Sequence, residues 1–348
     1  MKNSAIFHRQ ILDKEVSRLS VNNIPGYNEK ARIIEDWAYS IKRGIVNSSK
    51  EESLSGDFLH DIFSTVLEYN SKIGHDIWNI DIEKKTLTDG SKSDGVLGFF
   101  TNDNEDVRVS IELKGPRIDL DKKQKRERNL TPVEQAFLYA SKFEGKCRWF
   151  ITSNFKEIRL YNYNSLSRFE SFYIENLIEQ KKFLRFYFLL NCENLIKKIG
   201  KSRIDNLYEQ SKERQENISK QFYNKYKTGR IELFRHIKEN NPDYDELTLL
   251  EKTQKILDRF IFICFCEDRG LLPVETIKKV IETANGSFTF GDNIWREMKG
   301  LFHCIDHGNM EHRINGFNGG LFKKDRILDS FVIGDEILRG LADISHWM

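Results

Sequence analysis

Residues 107–113 read Val, Arg, Val, Ser, Ile, Glu, Leu, a period-two alternation that restricts this segment to a β-strand with its odd positions buried. Glu112 and Lys114 then project from the same side of the strand. Upstream, residues 95–100 form a second apolar run, and the polar stretch Thr101-Asn102-Asp103-Asn104-Glu105-Asp106 reads as the turn that folds one strand back on the other. That hairpin brings Asp94 alongside Glu112. Two hard oxygen ligands at one point suit Mg²⁺. A neighbouring ammonium, Lys114, is suited to orienting an attacking water and offsetting negative charge in phosphodiester cleavage.

An E-x-K triplet arises by chance in a chain with 31% charged residues, where it commonly marks a solvated strand face. The flanking sequence narrows the reading. Thr131 is a good N-cap, Pro132 fits the first helical position and Glu134 completes a capping box, so a helix starts there. Gln135 and Tyr139 share one face of it. Residues 146–152 and 157–161 then read as strands around Ser153-Asn154-Phe155-Lys156. Phe58, Ile62, Phe63, Val66 and Leu67 predict an amphipathic helix over 51–69.

In this order of elements the chain resembles the PD-(D/E)xK nuclease superfamily. The resemblance implies an α/β fold, a mixed-sheet nuclease core flanked by helices, here followed by an all-helical module. Asp94, Glu112, Lys114 and Gln135 match the superfamily pattern position by position, while Ser93 stands where a Pro is usual. Further motifs resemble the N-terminal endonuclease of type IIG restriction-modification enzymes: Ile111-Glu112-Leu113-Lys114-Gly115, Leu130-Thr131-Pro132-Val133-Glu134-Gln135-Ala136, Trp149-Phe150-Ile151-Thr152-Ser153-Asn154 and Ile158-Arg159-Leu160-Tyr161. Leu257-Asp258-Arg259-Phe260-Ile261-Phe262, Glu267-Asp268-Arg269-Gly270-Leu271-Leu272-Pro273 and Phe317-Asn318-Gly319-Gly320-Leu321-Phe322 resemble the helical connector of that family.

The resemblance implies an endonuclease domain over 1–195, a basic helical bridge over 196–245 and a connector to a methyltransferase over 246–348. It implies Mg²⁺ on Asp94 and Glu112, a water-positioning role for Lys114, a supporting role for Gln135, and an additional acidic residue on the first helix. Glu52 is the candidate by position, although a first-turn Glu is also favoured by the helix dipole. The implied activity is hydrolysis of double-stranded DNA in defence against foreign DNA. The implied partners are methyltransferase and target-recognition domains, in cis or in trans. S-adenosylmethionine enters only through that methyltransferase, whose cofactor and base-flipping loops are not in this chain. Asn241-Pro242-Asp243-Tyr244 has no preceding cofactor-binding strand and helix, and reads as a turn. The alternative is a noncatalytic DNA-binding or scaffold module of a methyltransferase-based defence system.

A net charge of +2 gives no whole-chain argument for nucleic acid. Local runs do. Residues 114–128 carry seven basic and three acidic side chains, and Arg117, Lys122, Lys123, Lys125, Arg126 and Arg128 are candidates for phosphate contacts, or else a solvated loop. Residues 196–236 carry eleven basic and five acidic ones, with Ile218, Phe222 and Tyr226 at a spacing that predicts a buried helical stripe. Five scattered cysteines form neither a disulfide framework nor a zinc pattern. His303, Cys304, His307 and His312 read as structural, because Gly308 and Asn309 interrupt the helix. With no run long enough to span a bilayer and no signal peptide, a cytoplasmic, membrane-free protein is expected. The apolar content of 246–348, including Ile256, Leu272, Trp295 and Phe322, predicts an exposed patch for a partner.

Overall fold

The structure is a computed structural model that describes residues 5–85, 92–124, 129–143, 146–288, 291–317 and 319–342. It divides into two compact units, 1–215 and 216–348.

The first unit is α/β. Helices α1 (Arg9–Val16), α2 (Tyr27–Lys42), α3 (Ile45–Ser48) and α4 (Glu51–Phe58) precede six strands: β1 (Trp78–Lys85), β2 (Lys92–Phe100), β3 (Glu105–Leu113), β4 (Trp149–Ser153), β5 (Glu157–Asn162) and β6 (Ser165–Tyr173). Helix α5 (Pro132–Ser141) connects β3 to β4, and α6 (Gln180–Leu190) and α7 (Cys192–Leu195) follow the sheet. Spatial order equals sequence order. Four neighbouring pairs are antiparallel, and only β3 and β4 run parallel, because α5 returns the chain to the start of β4.

Two faces of the sheet are buried in different ways. Val109, Ile111 and Leu113 join the larger core with α2, α6 and the helical continuation of α4, a π-helix over Leu59–Val66 that buries Leu59, Ile62, Phe63 and Val66. On the other face Val96, Phe150, Tyr161 and Phe169 stand in one cross-strand row and pack against Val133, Ala136 and Ala140 of α5. Phe150 and Tyr161 stack at 4.8 Å. This second layer explains why β3 is buried on both faces from Val109 onward, where sequence alternation predicts burial of one. Gly98 sits at a register shift between β2 and β3, and a Cβ there would stand 2.1 Å from the Asp106 carbonyl oxygen, so the bulge admits only glycine.

Helix α8 (Arg203–Asn240) occupies most of the segment expected to bridge the two modules, and the boundary between the units falls within it. Ile218, Phe222 and Tyr226 are half-buried and not the closed stripe that their spacing predicts, while Tyr223 is exposed.

In the second unit, α9 (Glu246–Asp268), α10 (Thr276–Asn285), α11 (Asn293–His307), α12 (Arg326–Ser330) and α13 (Asp335–Ala342) surround their own core. Ile256, Leu272, Trp295 and Phe322, which as sequence suggest surplus apolar surface, are inside that core. Leu271 and Val274 remain exposed. Buried Arg259 donates from Nε to the Leu321 carbonyl at 2.8 Å and from Nη2 to that of Lys323 at 3.0 Å, tying two of the connector-like motifs together. Asn241 lies in a turn, where its side chain accepts from the Val332 backbone N–H at 2.8 Å. Among the described residues no helix is long and apolar enough to cross a membrane.

Candidate active site

The register that pairs Gly95 with Ile111 sets Asp94 opposite Glu112. Asp94 Oδ2 accepts the Leu113 backbone N–H at 2.7 Å, which holds the carboxylate against β3. Glu112 is buried, and Lys114 Nζ lies 2.6 Å from its Oε1. The Lys114 backbone N–H donates to the Ser153 carbonyl at 2.8 Å, extending the parallel ladder one residue beyond β3. Three residues of the predicted set therefore converge at the C-terminal end of this strand.

A third carboxylate comes from the first turn of α4, and it is Glu51 and not Glu52. Glu51 is half-buried over Gly115, where an added Cβ would lie 3.6 Å from Glu51 Oε2, and it interacts with the charges of Lys114 and Asp94. Glu52 is exposed. With 3.6 residues per turn, adjacent helix positions face about 100° apart, so one of the two glutamates reaches the sheet and the other turns to solvent.

Burial governs the electrostatics. It pushes the Glu112 carboxyl from 4.5 up to about 8, with Asp94 adding to the shift and Lys114 opposing it. Glu51 is likewise raised, chiefly by burial. For Lys114 burial acts downward, but Glu112, Asp94 and Glu51 together outweigh it and keep the ammonium charged.

Because the folded chain holds the Glu112 proton more tightly than the unfolded chain, this group contributes its full stability below the ordinary value of 4.5 and loses it as pH rises towards 8. Without divalent cations, Glu112→Gln is expected to abolish that decline. Between about pH 5 and pH 8.5 the variant should gain roughly a few kcal/mol on the parent in urea unfolding. Parallel stability profiles for the two proteins would mean that Glu112 titrates as an ordinary carboxylate.

The cluster is suited to a cation. Glu112 Oε2 is buried and has no hydrogen-bond partner among the described residues. Up to three carboxylates share one ammonium, and all donors are hard oxygens of the kind Mg²⁺ takes. The residues therefore fit the group, although among the described residues no three His, Cys, Asp or Glu side chains converge as a formed metal site.

Gln135 lies on α5, over the same face of the sheet, and its Nε2 donates to Tyr139 Oη at 3.1 Å, the pairing expected from their spacing. Thr131 and Glu134 form the predicted capping box. Of the basic residues after β3, Arg117 donates from Nε to the Asn47 carbonyl at 2.9 Å, Lys122 pairs with Asp119 at 3.4 Å, and Lys123 is exposed. Lys125, Arg126 and Arg128 lie outside the described residues. In the second unit His303 and His307 stack on each other at 4.3 Å.

Sequence reading alone passes over the polar row that continues from Glu112. Glu112 pairs with Thr152, Thr152 with Arg159 and Arg159 with Ser171, so these side chains share one face across four strands. Arg159 donates to Glu157 at 2.8 and 3.0 Å and to Asp121 at 2.8 and 3.0 Å. The available signal was the alternation Glu157, Arg159, Tyr161 along β5, charged at positions that face a layer of packing.

No protein-family model, curated protein or solved structure matches this chain.

Proposed function

We propose that this chain is a Mg²⁺-dependent DNA endonuclease of the PD-(D/E)xK kind, acting as the nuclease portion of a type IIG-like restriction-modification system. The observation that carries the proposal is the meeting of Asp94, Glu112 and Lys114 at one strand end, with Glu112 Oε2 buried and without a hydrogen-bond partner among the described residues. Asp94 and Glu112 would hold the cation, which when bound supplies Lewis acidity to a phosphodiester oxygen and lowers the pKa of water. Lys114, kept charged by its acidic neighbours, orients the attacking water and offsets the negative charge that grows on the phosphorus oxygens. Glu51 adds acidic charge at the mouth of the site. Gln135 supports the same face from α5.

Double-stranded DNA is the substrate in this reading, and the helical second unit is the link to methyltransferase and target-recognition domains. The resemblance of sequence motifs supports that assignment.

The test is conversion of supercoiled plasmid to nicked or linear DNA by the chain with Mg²⁺, against an EDTA control, alone and with a methyltransferase and target-recognition partner. Metal-dependent cleavage in either arm is expected. A chain that binds DNA yet cleaves none in both arms would favour the noncatalytic scaffold.

A further inference from the structure

Next to the proposed metal-binding carboxylates the sheet carries a guanidinium that donates to two carboxylates of unlike character and, from Nη1 at 3.5 Å, to Tyr161 Oη. Arg159 is buried. Its Nε and Nη2 engage Glu157, which is also buried and held by Ser171 Oγ at 2.6 Å. Its Nη1 and Nη2 engage Asp121, whose side chain is 66% exposed and sits on the basic loop between β3 and α5. One partner is built into the sheet and the other is a loop residue open to water.

Beside this pair, Thr152 is fully buried, and its Oγ1 has no hydrogen-bond partner among the described residues. In the cross-strand row Thr152 stands between Glu112 and Arg159. At the spacing of paired strands, Arg159 lies about 10 Å across the sheet from Glu112.

We infer that Arg159 and Thr152 form a second phosphodiester-binding position of the nuclease, adjacent to the reacting phosphate, and that Asp121 is the resident carboxylate that a backbone phosphate displaces. This deepens the nuclease reading and rests on it. A phosphodiester and a carboxylate each carry one negative charge and present two equivalent oxygens, and an arginine fork binds both in the same bidentate manner. The exchange leaves the charge around Arg159 unchanged and keeps Glu157 paired throughout. Thr152 supplies a hydroxyl donor that the carboxylate does not use. Asp121 thus shields Arg159 until DNA arrives.

The test measures binding of the whole chain to a fluorescent duplex in EDTA, by anisotropy across a salt series. Asp121→Asn is expected to tighten binding about fivefold across the salt series with the dependence of log Kd on log salt little changed, because parent and variant neutralise the same phosphate and only the parent must first displace a carboxylate. Asp119→Asn is the control, since Asp119 is an exposed carboxylate of the same loop that pairs with Lys122 and not with Arg159. An equal gain from both variants, or none from Asp121→Asn, overturns the inference. Plasmid cleavage with Mg²⁺, run in parallel, separates the two readings. A chain that is inert both alone and with the methyltransferase and target-recognition partner, yet shows the Asp121-specific change, overturns the nuclease and supports the phosphate position, while a cleaving chain without that change overturns the phosphate position alone. A chain that binds no duplex overturns both.

Discussion

If the proposed nuclease reading holds, Lys114→Ala is expected to lower Mg²⁺-dependent cleavage of duplex DNA by about 10² to 10³, and Glu112→Ala by at least as much, because in that reading Lys114 offsets charge that develops in the transition state and Glu112 holds the cation. The fold should survive each change. Removing the ammonium from beside a buried carboxylate would ordinarily be severe, but Glu112 is already pushed up to about 8 and takes a proton at neutral pH at small expense. The measurement is a single-turnover cleavage rate with a urea unfolding curve for the same preparation. Undiminished cleavage by both folded variants would remove these residues from the reaction.

The largest effect on stability is expected at Arg159. Arg159→Met leaves Glu157 buried without its main partner and releases Asp121 from the sheet, so the loss should be about 3 to 5 kcal/mol, the range for breaking a buried ion pair from one side. Adding Glu157→Gln in the same chain should recover much of it, since a neutral amide can still accept from Ser171. Asp121→Asn should cost far less, because its exposed carboxylate is compensated by water. Equal losses from Arg159→Met with and without Glu157→Gln, read from chemical denaturation, would mean that Arg159 contributes by packing on Phe169, over whose ring it lies at 4.5 Å.

Much of the first unit is legible in its amino-acid sequence. The hairpin of β2 and β3, the capped start of α5 and the hairpin of β4 and β5 all carry local signals: alternation, an N-cap with Pro132 and Glu134, and a polar turn at Ser153-Asn154-Phe155-Lys156. Strands β1 and β6 carry weaker ones. Both lie at the edges of the sheet, where one side of the strand has no neighbour to impose a pattern, and β6 mixes Ser, Arg and Glu with its aromatics.

Sequence by itself determined that Glu112 and Lys114 stand on one side at the end of β3. Once residues 107–113 are a strand, Glu112 and Lys114 must share a side; that Asp94 stands opposite Glu112 depends also on the bulge at Gly98, without which the register of the turn would set Asp94 opposite Ile111 on the other face. Tertiary structure alone decided what the sequence pattern left open. Which of Glu51 and Glu52 reaches the site depends on the rotation of α4 about its axis. Whether Trp295 and Phe322 are interface or core depends on which helices pack against them, and they are core. The join of Asp121 to Arg159 spans 38 positions and follows from the path of a loop that no periodicity describes. Local pattern specifies which face of an element a side chain occupies; the partners on that face are set by packing between segments distant in the chain.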